Sequence, residues 1–484
     1  MNQNTKALLK ACELAESRAG NKGEWVPSFH LAPVTGWMND PNGLCEFNGV
    51  HHIFFQYSPF DTSHGMNYWG HFSTKNFVDI KYHKPALCSD EQFDCHGVYS
   101  GSALCDETGM NIFYTGNVLQ SGEKGKEYDY LNTGREHNTV FVNSKDGLTF
   151  DGKTVVLKNS DYPKNCTCHV RDPKVWKENG KYYMLLGARR NDDVGEALLY
   201  SSENKLDWEY LNTITSNEKM GYMWECPDYF EIGENKYLSV SPQGIDADGY
   251  KYNNTYQSGY FKVTGSIKSN YSLSEFVEYD CGFDFYAPQT YVDSKGRRIM
   301  IAWFGLPDDN KPYDDPTKKD GWVHMLTFPR ELTVNEKGIL CQYPVEELKN
   351  LRYYTKKSII DGYAKLSGLT EFDVKIDIAK QSDFTIRIRK DCILNYDMAK
   401  KLCTLSFGKS GEGRTSRSVE MEEIHEVCIL CDTSSIEIFL NHGEKVFSSR
   451  FYPDKDTTGI IIENINGNLK YSNLRPIRIL KAEV

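Results

Sequence analysis

Residues 43–57, GLCEFNGVHHIFFQY, contain the pattern that decides the fold. An apolar segment, a tight turn at Asn48-Gly49 and a second apolar segment are typical of a β-hairpin. The same order recurs at residues 102–116, 174–188, 228–242 and 290–305. The turn glycines of successive segments lie 53 to 71 residues apart. Self-similarity of this kind indicates a repeat architecture.

Further strand candidates lie between the hairpins, among them residues 66–74, 139–150 and 197–211. Each repeat therefore holds about four strands. Five four-stranded units predict an all-β fold with a five-bladed β-propeller, because propeller blades are four-stranded sheets around a central channel. A β-sandwich or a β-helix is the alternative, although a β-helix needs a much shorter repeat.

One polar residue in each repeat stands seven to nine positions before the turn glycine. These residues are Asp40, Ser100, Asp172, Glu225 and Gln289. Equivalent positions in propeller repeats lie at equivalent radii, so we expect the five side chains to surround one mouth of the channel. A buried polar cluster is costly unless partners, water or a ligand satisfy it. Three carboxylates at the base of a funnel therefore predict a site for acid/base chemistry.

The pattern changes after the repeats and divides the chain into four parts. Residues 1–27 carry the spacing of a short amphipathic helical extension, and residues 28–343 form the propeller. Residues 344–354 read as a helical linker, and residues 355–484 as alternating strands of a β-sandwich. The last part has no Asp/Glu constellation of its own, which favours a structural or accessory role over carbohydrate binding.

Charge and hydropathy exclude several classes of partner. A net charge of −11 argues against nucleic acid, since phosphate backbones select basic surfaces. No run of 18 apolar residues suggests a membrane span, and the N-terminus lacks an apolar core of signal-peptide length, so we expect a cytoplasmic protein. The oligomeric state is left open, with a homodimer as one possibility.

The 14 cysteines are scattered, and we interpret them as buried reduced thiols. Cys166 and Cys168 form one close pair, and Cys428 and Cys431 form another. Neither has a second pair at the ligand spacing of a zinc site. We therefore expect no metal and no cofactor.

Glycosidases need two carboxyl groups that flank the scissile bond. Asp40 lies in a tight turn, where backbone N–H groups are expected to keep it ionised. Glu225 follows Met223-Trp224 and precedes a Cys-Pro pair, an apolar setting that favours the protonated form of a general acid. Asp172 adds a third carboxylate, suited to stabilising positive charge on a sugar ring.

Three motifs together resemble glycoside hydrolase family 32, which includes invertases, inulinases and sucrose-6-phosphate hydrolases. They are FHLAPVTGWMNDPNG at residues 29–43, Arg171-Asp172-Pro173, and ECPD from Glu225. The resemblance covers residues 28–335 and extends to the sandwich. It implies a retaining β-fructofuranosidase that works through a covalent fructosyl-enzyme intermediate. Asp40 would be its nucleophile, Asp172 would hold fructosyl hydroxyls, and Glu225 would be the acid/base.

The same resemblance implies a set of substrate-binding residues. They are Asn39, Gln56, His64, Trp69, Tyr99, Ser100, Arg171 and Trp303. Tyr99 stands where the family usually has Phe. His64 replaces a Trp found in many invertases, and this departure changes the side of the pocket that faces the leaving group.

Several strings, including GYMWECPD and MLTFPREL, look most like the intracellular bacterial sucrose-6-phosphate hydrolases. The predicted substrate is therefore sucrose 6-phosphate, sucrose, or both. A phosphate would need cations at the rim, and the candidates are His64, His169, Arg189, Arg190 and Lys311. Hydrolysis of inulin-type fructans or fructosyl transfer is the alternative within enzymes, and a non-catalytic sugar-binding propeller is the remote one.

Overall fold

The computed structural model describes residues 3–20, 22–120, 129–307 and 314–482. Helix α1 (Gln3–Ser17) buries Cys12 against Tyr68 and Cys88 on the outside of the first sheet. Almost all the remaining regular structure is β. Short 3-10 helices lie at Gln92–Asp94, Asn159–Asp161, Pro316–Asp320, Glu346–Leu351 and Lys409–Gly411.

The first three sheets each contain four consecutive antiparallel strands. The first has β1 (Gly36–Phe47), β2 (Val50–Ser58), β3 (Tyr68–Thr74) and β4 (Asp79–Leu87). The second has β5 (Val98–Asp106), β6 (Gly109–Leu119), β7 (Arg135–Ser144) and β8 (Asp151–Leu157). The third has β9 (Cys166–Glu178), β10 (Lys181–Arg190), β11 (Gly195–Ser202) and β12 (Glu209–Ile214).

Two further sheets follow in the chain. The fourth has β13 (Met223–Ile232), β14 (Asn235–Gln243), β15 (Gly259–Gly265), β16 (Tyr271–Leu273) and β17 (Val277–Glu278). The fifth uses β18 (Tyr286–Val292), β19 (Arg298–Phe304), β21 (Met325–Leu326), β22 (Arg330–Val334) and β23 (Leu340–Pro344). Between β19 and β21 in sequence lies β20 (Trp322–Val323), which pairs in parallel with β1 of the first sheet. All five predicted hairpins are confirmed; four of the turn glycines lie between the paired strands, and Gly109 begins β6, where it pairs with Asp106.

The inner strands contact one another in sequence around an axis. Strand β1 contacts β5, β5 contacts β9, β9 contacts β13, β13 contacts β18, and β18 returns to β1. This part of the fold is a β-propeller. The circular order brings the starts of strands that are distant in sequence to one end of a central channel.

The C-terminal strands form a sandwich-like sheet. They are β24 (Arg352–Leu366), β25 (Phe372–Ile378), β26 (Phe384–Ile388), β27 (Cys392–Asp397), β28 (Leu402–Phe407), β29 (Ser416–Glu420), β30 (Glu426–Cys431), β31 (Ser435–Leu440), β32 (Lys445–Arg450) and β33 (Ile460–Leu474). The long strand β33 pairs with β26 at one end and with β25 at the other, so it links both halves. Their facing sides bury a continuous aliphatic core, which includes Ile386, Ile429 and Ile438. The last strand, β34 (Arg478–Lys481), returns to pair in parallel with β4 of the first sheet.

A buried polar network joins the propeller to the C-terminal sheet. The imidazole of His30 lies 2.8 Å from the Asp432 carboxylate and 2.7 Å from that of Glu437. Arg330 also donates to Glu437, from Nε at 3.0 Å, and Nη1 lies 3.3 Å from Asp280. These charges are completely buried but paired, which is the condition under which buried charge is tolerated.

The described residues include every cysteine of the chain. All 14 cysteines are free thiols. In the part of the chain that the structure describes, no three His, Cys, Asp or Glu side chains form a metal-ligand group. No helix among those residues is long and apolar enough to cross a membrane.

Candidate active site

Besides a second irregularity in β1 and in β9, each inner strand breaks its pairing register at an equivalent position near its start. The residues skipped at these breaks are Asn39-Asp40, Ser100, Asp172-Pro173, Cys226-Pro227 and Ala287-Pro288. A bulge of this kind bends the strand and redirects its side chains. Three of the skipped residues have a positive φ, 65° at Asp172, 46° at Cys226 and 48° at Ala287, a conformation that is costly for non-glycine residues.

The five bulges open onto one cavity of about 400 Å³ at the end of the channel. Its lining comprises Trp37, Asn39, Asp40, Gln56, His64, Asn67, Tyr99, Ser100, Tyr130, Arg135, Arg171, Asp172, Glu225, Gln243, Tyr256, Tyr286, Trp303 and Pro307. All three predicted catalytic carboxylates are among them. In four of the five strands the residue just before the bulge lines the cavity, namely Tyr99, Arg171, Glu225 and Tyr286.

The carboxylate of Asp40 is held by side chains. Ser100 Oγ donates to Oδ2 at 2.5 Å, Asn39 Nδ2 donates to Oδ1 at 3.1 Å, and Cys226 Sγ lies 3.4 Å from Oδ2. Burial raises the pKa of Asp40, and the hydrogen bond from Ser100 opposes that shift. The expectation that backbone amides keep this group ionised is therefore corrected, since its hydrogen bonds come from side chains.

The carboxylate of Glu225 has a polar setting. Arg171 Nη2 donates to Oε1 at 2.6 Å, whereas Gln243 Nε2 and the Tyr286 hydroxyl both donate to Oε2 at 2.7 Å. The apolar environment expected from its sequence neighbours is not present, because Met223 and Trp224 point into the core instead. Three donors fix both oxygens and aim the carboxylate into the cavity.

Asp172 is linked to Asp40 through Cys226. The backbone N–H of Cys226 donates to Asp172 Oδ2 at 3.0 Å, and its Sγ lies between Asp172 and Asp40, 3.7 Å and 3.4 Å away. Burial raises the pKa of Asp172 to about 7, although the nearby Arg171 opposes the shift. Three acids and one thiol thus lie close together around one cavity, an arrangement that shifts pKa values as acid/base catalysis requires.

Aromatic rings form one side of the cavity. Trp37 packs edge-on against Trp303 with ring centres 5.9 Å apart, and against His64 at 6.0 Å. Trp37 Nε1 also donates to Asn39 Oδ1 at 2.9 Å, so it orients a residue beside Asp40. Flat apolar faces next to hydrogen-bonding groups are typical of sugar sites.

Both domains match one family over nearly their whole length. Residues 30–344 match the N-terminal domain of glycosyl hydrolases family 32, and residues 347–477 match its C-terminal domain. The chain belongs to glycosyl hydrolase family 32. It is therefore a glycoside hydrolase, and the resemblance found in the sequence is confirmed.

Relatives within family 32 agree in sequence and structure. A sucrose-6-phosphate hydrolase of Bacillus subtilis (strain 168) is 39% identical over 442 residues, 88% of either chain. The structure of a sucrose-6-phosphate hydrolase from Lactobacillus gasseri superposes with a TM-score of 0.85 at 26% identity, over 97% of this chain and 96% of that one. A mutant Bombyx mori family 32 β-fructofuranosidase in complex with sucrose gives 0.82 at 27%, over 99% and 100%.

Two residues expected at this family 32 site lie elsewhere. Trp69 is completely buried and its Nε1 donates to the Tyr99 carbonyl at 3.0 Å, so it supports the cavity from behind and does not face a substrate. Gln289 is also buried and does not line the cavity. It follows the bulge in β18, and Tyr286, which precedes that bulge, takes the place in the lining.

The cations proposed for a phosphate are also separated by the structure. Of the four that the structure describes, only His64 lines the cavity. His169 Nε2 lies 3.0 Å from the Tyr130 carbonyl, and Arg189 and Arg190 pair with Asp193 and Asp192 at 2.6 Å. Lys311 lies outside the described residues.

Sequence reasoning missed part of the lining. These residues are Trp37, Asn67, Tyr130, Arg135, Gln243, Tyr256, Tyr286 and Pro307. Trp37 and Tyr286 could have been found, because each lies within three residues of a bulge proline or its carboxylate. The others come from second or third strands and from loops, where no repeat position marks them.

Proposed function

We propose that this chain is a retaining β-fructofuranosidase that hydrolyses sucrose 6-phosphate, sucrose, or both. The products would be fructose and glucose 6-phosphate or glucose. One observation carries the proposal: Asp40, Asp172 and Glu225, from three different blades, line one cavity. Each of the three carboxylates accepts a hydrogen bond from the protein. The sucrose-6-phosphate hydrolases and β-fructofuranosidase similar to this chain support the substrate.

The first half of the reaction uses both flanking carboxyl groups. Asp40 Oδ2 attacks the anomeric carbon of the fructosyl unit while Glu225 donates its proton to the glycosidic oxygen. The carbon–oxygen bond breaks, glucose or glucose 6-phosphate leaves with that proton, and the fructosyl unit is esterified to Asp40. The three donors on Glu225 keep its carboxyl group aimed at the leaving oxygen.

The second half reverses the roles. Glu225, now a carboxylate, removes a proton from water, and the hydroxide oxygen attacks the fructosyl carbon from the face that the first sugar left. The ester bond to Asp40 breaks and fructose is released with retained configuration. Both carboxyl groups return to their starting protonation states.

The remaining lining residues hold the sugar. We assign the fructosyl unit to Asp172, Asn39 and Gln56, which lie around Asp40 at the base of the cavity. Tyr99, Ser100, Arg171, His64 and Trp303 complete its sides. Charge on Asp172 would stabilise the positive charge that develops on the ring in the transition state.

We also propose that the five sheets are the five blades of one closed propeller spanning residues 28–343. The circular contacts of the inner strands support this count. Residues 1–27 would then be a helical extension, residues 344–354 the linker and residues 355–484 an accessory module. The strand β34, which pairs with the first sheet, supports a structural role for that module.

We place the enzyme in the cytoplasm. Its free and mostly buried thiols are compatible with a reducing compartment. Sedimentation analysis would separate a 55.5 kDa monomer from the homodimer that the sequence leaves open.

The central test removes each reacting carboxylate without changing its size. Asp40→Asn and Glu225→Gln should each lower kcat on sucrose and on sucrose 6-phosphate by at least about 10³-fold, since each removes a reacting group. Release of reducing sugar measures the rate, and inulin as a third substrate tests the fructan alternative.

The matched control is Glu231→Gln, an exposed residue at the far end of the same strand as Glu225, which should keep the parent rate. Substantial activity in both active-site variants would refute the mechanism. Sucrose binding without turnover in the parent enzyme would favour the sugar-binding alternative.

A further inference from the structure

Two arginines line the catalytic cavity, and their charges are balanced differently. Arg171 donates to Glu225 at 2.6 Å and lies 3.9 Å from Asp172, so two carboxylates offset its charge. Among the described residues Arg135 has no carboxylate partner, and its Nε is buried without a hydrogen-bond acceptor. A buried charged donor without an acceptor is costly. The cavity therefore has one guanidinium available to an anionic ligand.

Aromatic side chains hold the Arg135 guanidinium in place. Its central carbon lies 4.8 Å from the centre of the Tyr130 ring, and although burial raises the pKa of Tyr99, the nearby Arg135 opposes that shift. An arginine stacked in this way loses little side-chain freedom when it binds an anion. Burial, Arg171 and Arg135 together lower the pKa of His169 to about 3 and hold that of His137 well below its usual value. Neither imidazole is charged at neutral pH.

A series of side-chain contacts along one side of the cavity leads from the acid/base, Glu225, to Arg135. Glu225 is bonded to Arg171, whose Nη1 lies 3.3 Å from His169 Nδ1. The His169 ring packs against Tyr130 with centres 4.6 Å apart, and Tyr130 lies beneath Arg135. A leaving sugar whose glycosidic oxygen meets Glu225 can follow this surface outward to the guanidinium.

Among the residues that the structure describes, the opposite side of Glu225 offers no comparable charge. Gln243, Tyr256, Tyr286 and Trp303 line it, and none of these side chains is a cation. The exposed pairs Arg189–Asp193 and Arg190–Asp192 lie outside the lining and are already neutralised.

We propose that Arg135, stacked on Tyr130, binds the 6-phosphate of the leaving glucosyl unit and sets the preference for a phosphorylated substrate. This inference rests on the proposed function. A guanidinium presents two parallel N–H donors that match two phosphate oxygens. The bound phosphate would satisfy the Nε donor that has no acceptor in the free enzyme, and it would restore electroneutrality around Arg135.

The test compares two substrates in the full-length enzyme. In Arg135→Gln the ratio of kcat/KM for sucrose 6-phosphate to that for sucrose should fall about 10- to 100-fold, the range for losing charge-assisted hydrogen bonds. Arg135→Lys keeps the charge but not the paired donors, so its ratio should be intermediate. The inhibition constant of glucose 6-phosphate relative to that of glucose should change by the same factors.

Arg189→Gln is the matched control, because it removes an arginine that is paired outside the cavity, and its substrate ratio should equal the parent's. An unchanged ratio in Arg135→Gln, or an equal fall in Arg189→Gln, overturns the assignment. If Arg135→Gln does not fold, the Lys variant and the inhibition constants carry the same test.

The parent enzyme separates this inference from the function on which it rests. Equal kcat/KM for the two sucroses overturns the phosphate subsite but leaves the β-fructofuranosidase intact. If the parent enzyme hydrolyses neither sugar, the proposed function itself is refuted.

Discussion

At the scale of single residues, the reactivity of the site depends on hydrogen bonds between side chains of neighbouring sheets. Asp40 is buried, and burial alone would favour its neutral form. Ser100, from the next inner strand, donates the shortest contact to it, at 2.5 Å. The pKa of Asp40, the proposed nucleophile, is therefore kept from rising further by Ser100, a residue of another sheet.

Replacing Ser100 with Ala should move the pH dependence of the reaction. The hydrogen bond favours the carboxylate, so its loss raises the pKa of Asp40 further. The acidic limb of the kcat/KM profile on sucrose should then shift to higher pH, and kcat should fall about 10- to 100-fold, since a charge-assisted hydrogen bond is lost.

The control is Ser102→Ala, two residues along the same strand. Ser102 is equally buried, but its Oγ accepts from the Val175 backbone at 3.0 Å outside the cavity. It should lower stability without moving the limb. A profile that is identical in both variants would show that Ser100 does not tune Asp40.

At the scale of elements, the bulge near the start of each inner strand is the device that builds the site. In β1, β5 and β9 it turns two adjacent residues toward the cavity where a regular strand would present only one, and in β13 and β18 the residue before the break lines the cavity. A proline is among the skipped residues of three strands and directly follows them in the first, whereas Gly101 follows Ser100 in the second. The repeated break in register, and not the strands themselves, places the carboxylates.

Hairpins and repeats could be predicted from the sequence because turn glycines and alternating polarity are local signals. The bulges explain why one of the five residues predicted to surround the channel mouth does not line the cavity. Counting back from the turn glycine located Asp40, Ser100 and Asp172, which occupy the break itself, but Gln289 lies beyond the break and is buried. Arg135 begins a third strand, so no repeat position marked it, and only the folded ring brings it to Glu225.

The bulge in the second sheet should not tolerate a side chain at position 101. A Cβ there would lie 2.0 Å from the Phe113 backbone oxygen, so Gly101→Ala must displace the strand beside Ser100. We expect a loss of about 1–3 kcal/mol in unfolding free energy, as for other overpacked sites. We also expect kcat to fall by at least about tenfold, since Ser100 would move from Asp40.

Gly49→Ala provides the comparison. Gly49 has a φ of 73° at a hairpin tip, with open space around its Cβ position. It should cost about 1–2 kcal/mol of stability through backbone strain and leave kcat unchanged. Denaturant unfolding and initial rates measure both effects, and equal kcat in the two variants would contradict the role given to the bulge.

At the scale of the whole molecule, the C-terminal sheet stabilises the propeller through buried charge. His30 precedes β1, the strand that carries Asp40, and its ring lies between Asp432 and Glu437. The backbone amides of Ser28 and Phe29 donate to Asp432 as well, at 2.7 Å and 3.0 Å. The start of the propeller is thereby attached to the C-terminal sheet, and the two should unfold together.

This attachment predicts a loss of stability at alkaline pH. Although burial opposes it, the two carboxylates raise the pKa of His30 to about 9, from its usual 6.5. A base whose pKa is higher in the folded state stabilises fully below pH 6.5, and that contribution declines as pH rises through 9. It amounts to about 3 kcal/mol at most. The Tm of the parent enzyme should therefore fall between about pH 7 and pH 9.5, as His30 loses its proton in the folded state.

His30→Gln should remove much of this pH dependence and lower the unfolding free energy at pH 7 by about 3–5 kcal/mol, because two buried carboxylates lose a charged partner. His425→Gln is the control, since His425 is exposed and pairs with Glu423 at the surface. Calorimetry across the pH range measures both variants. If the Tm of His30→Gln declined with pH as steeply as that of the parent, the charge on His30 would not be what attaches the two domains, and the uncharged hydrogen bonds and apolar contacts of the interface would carry that role.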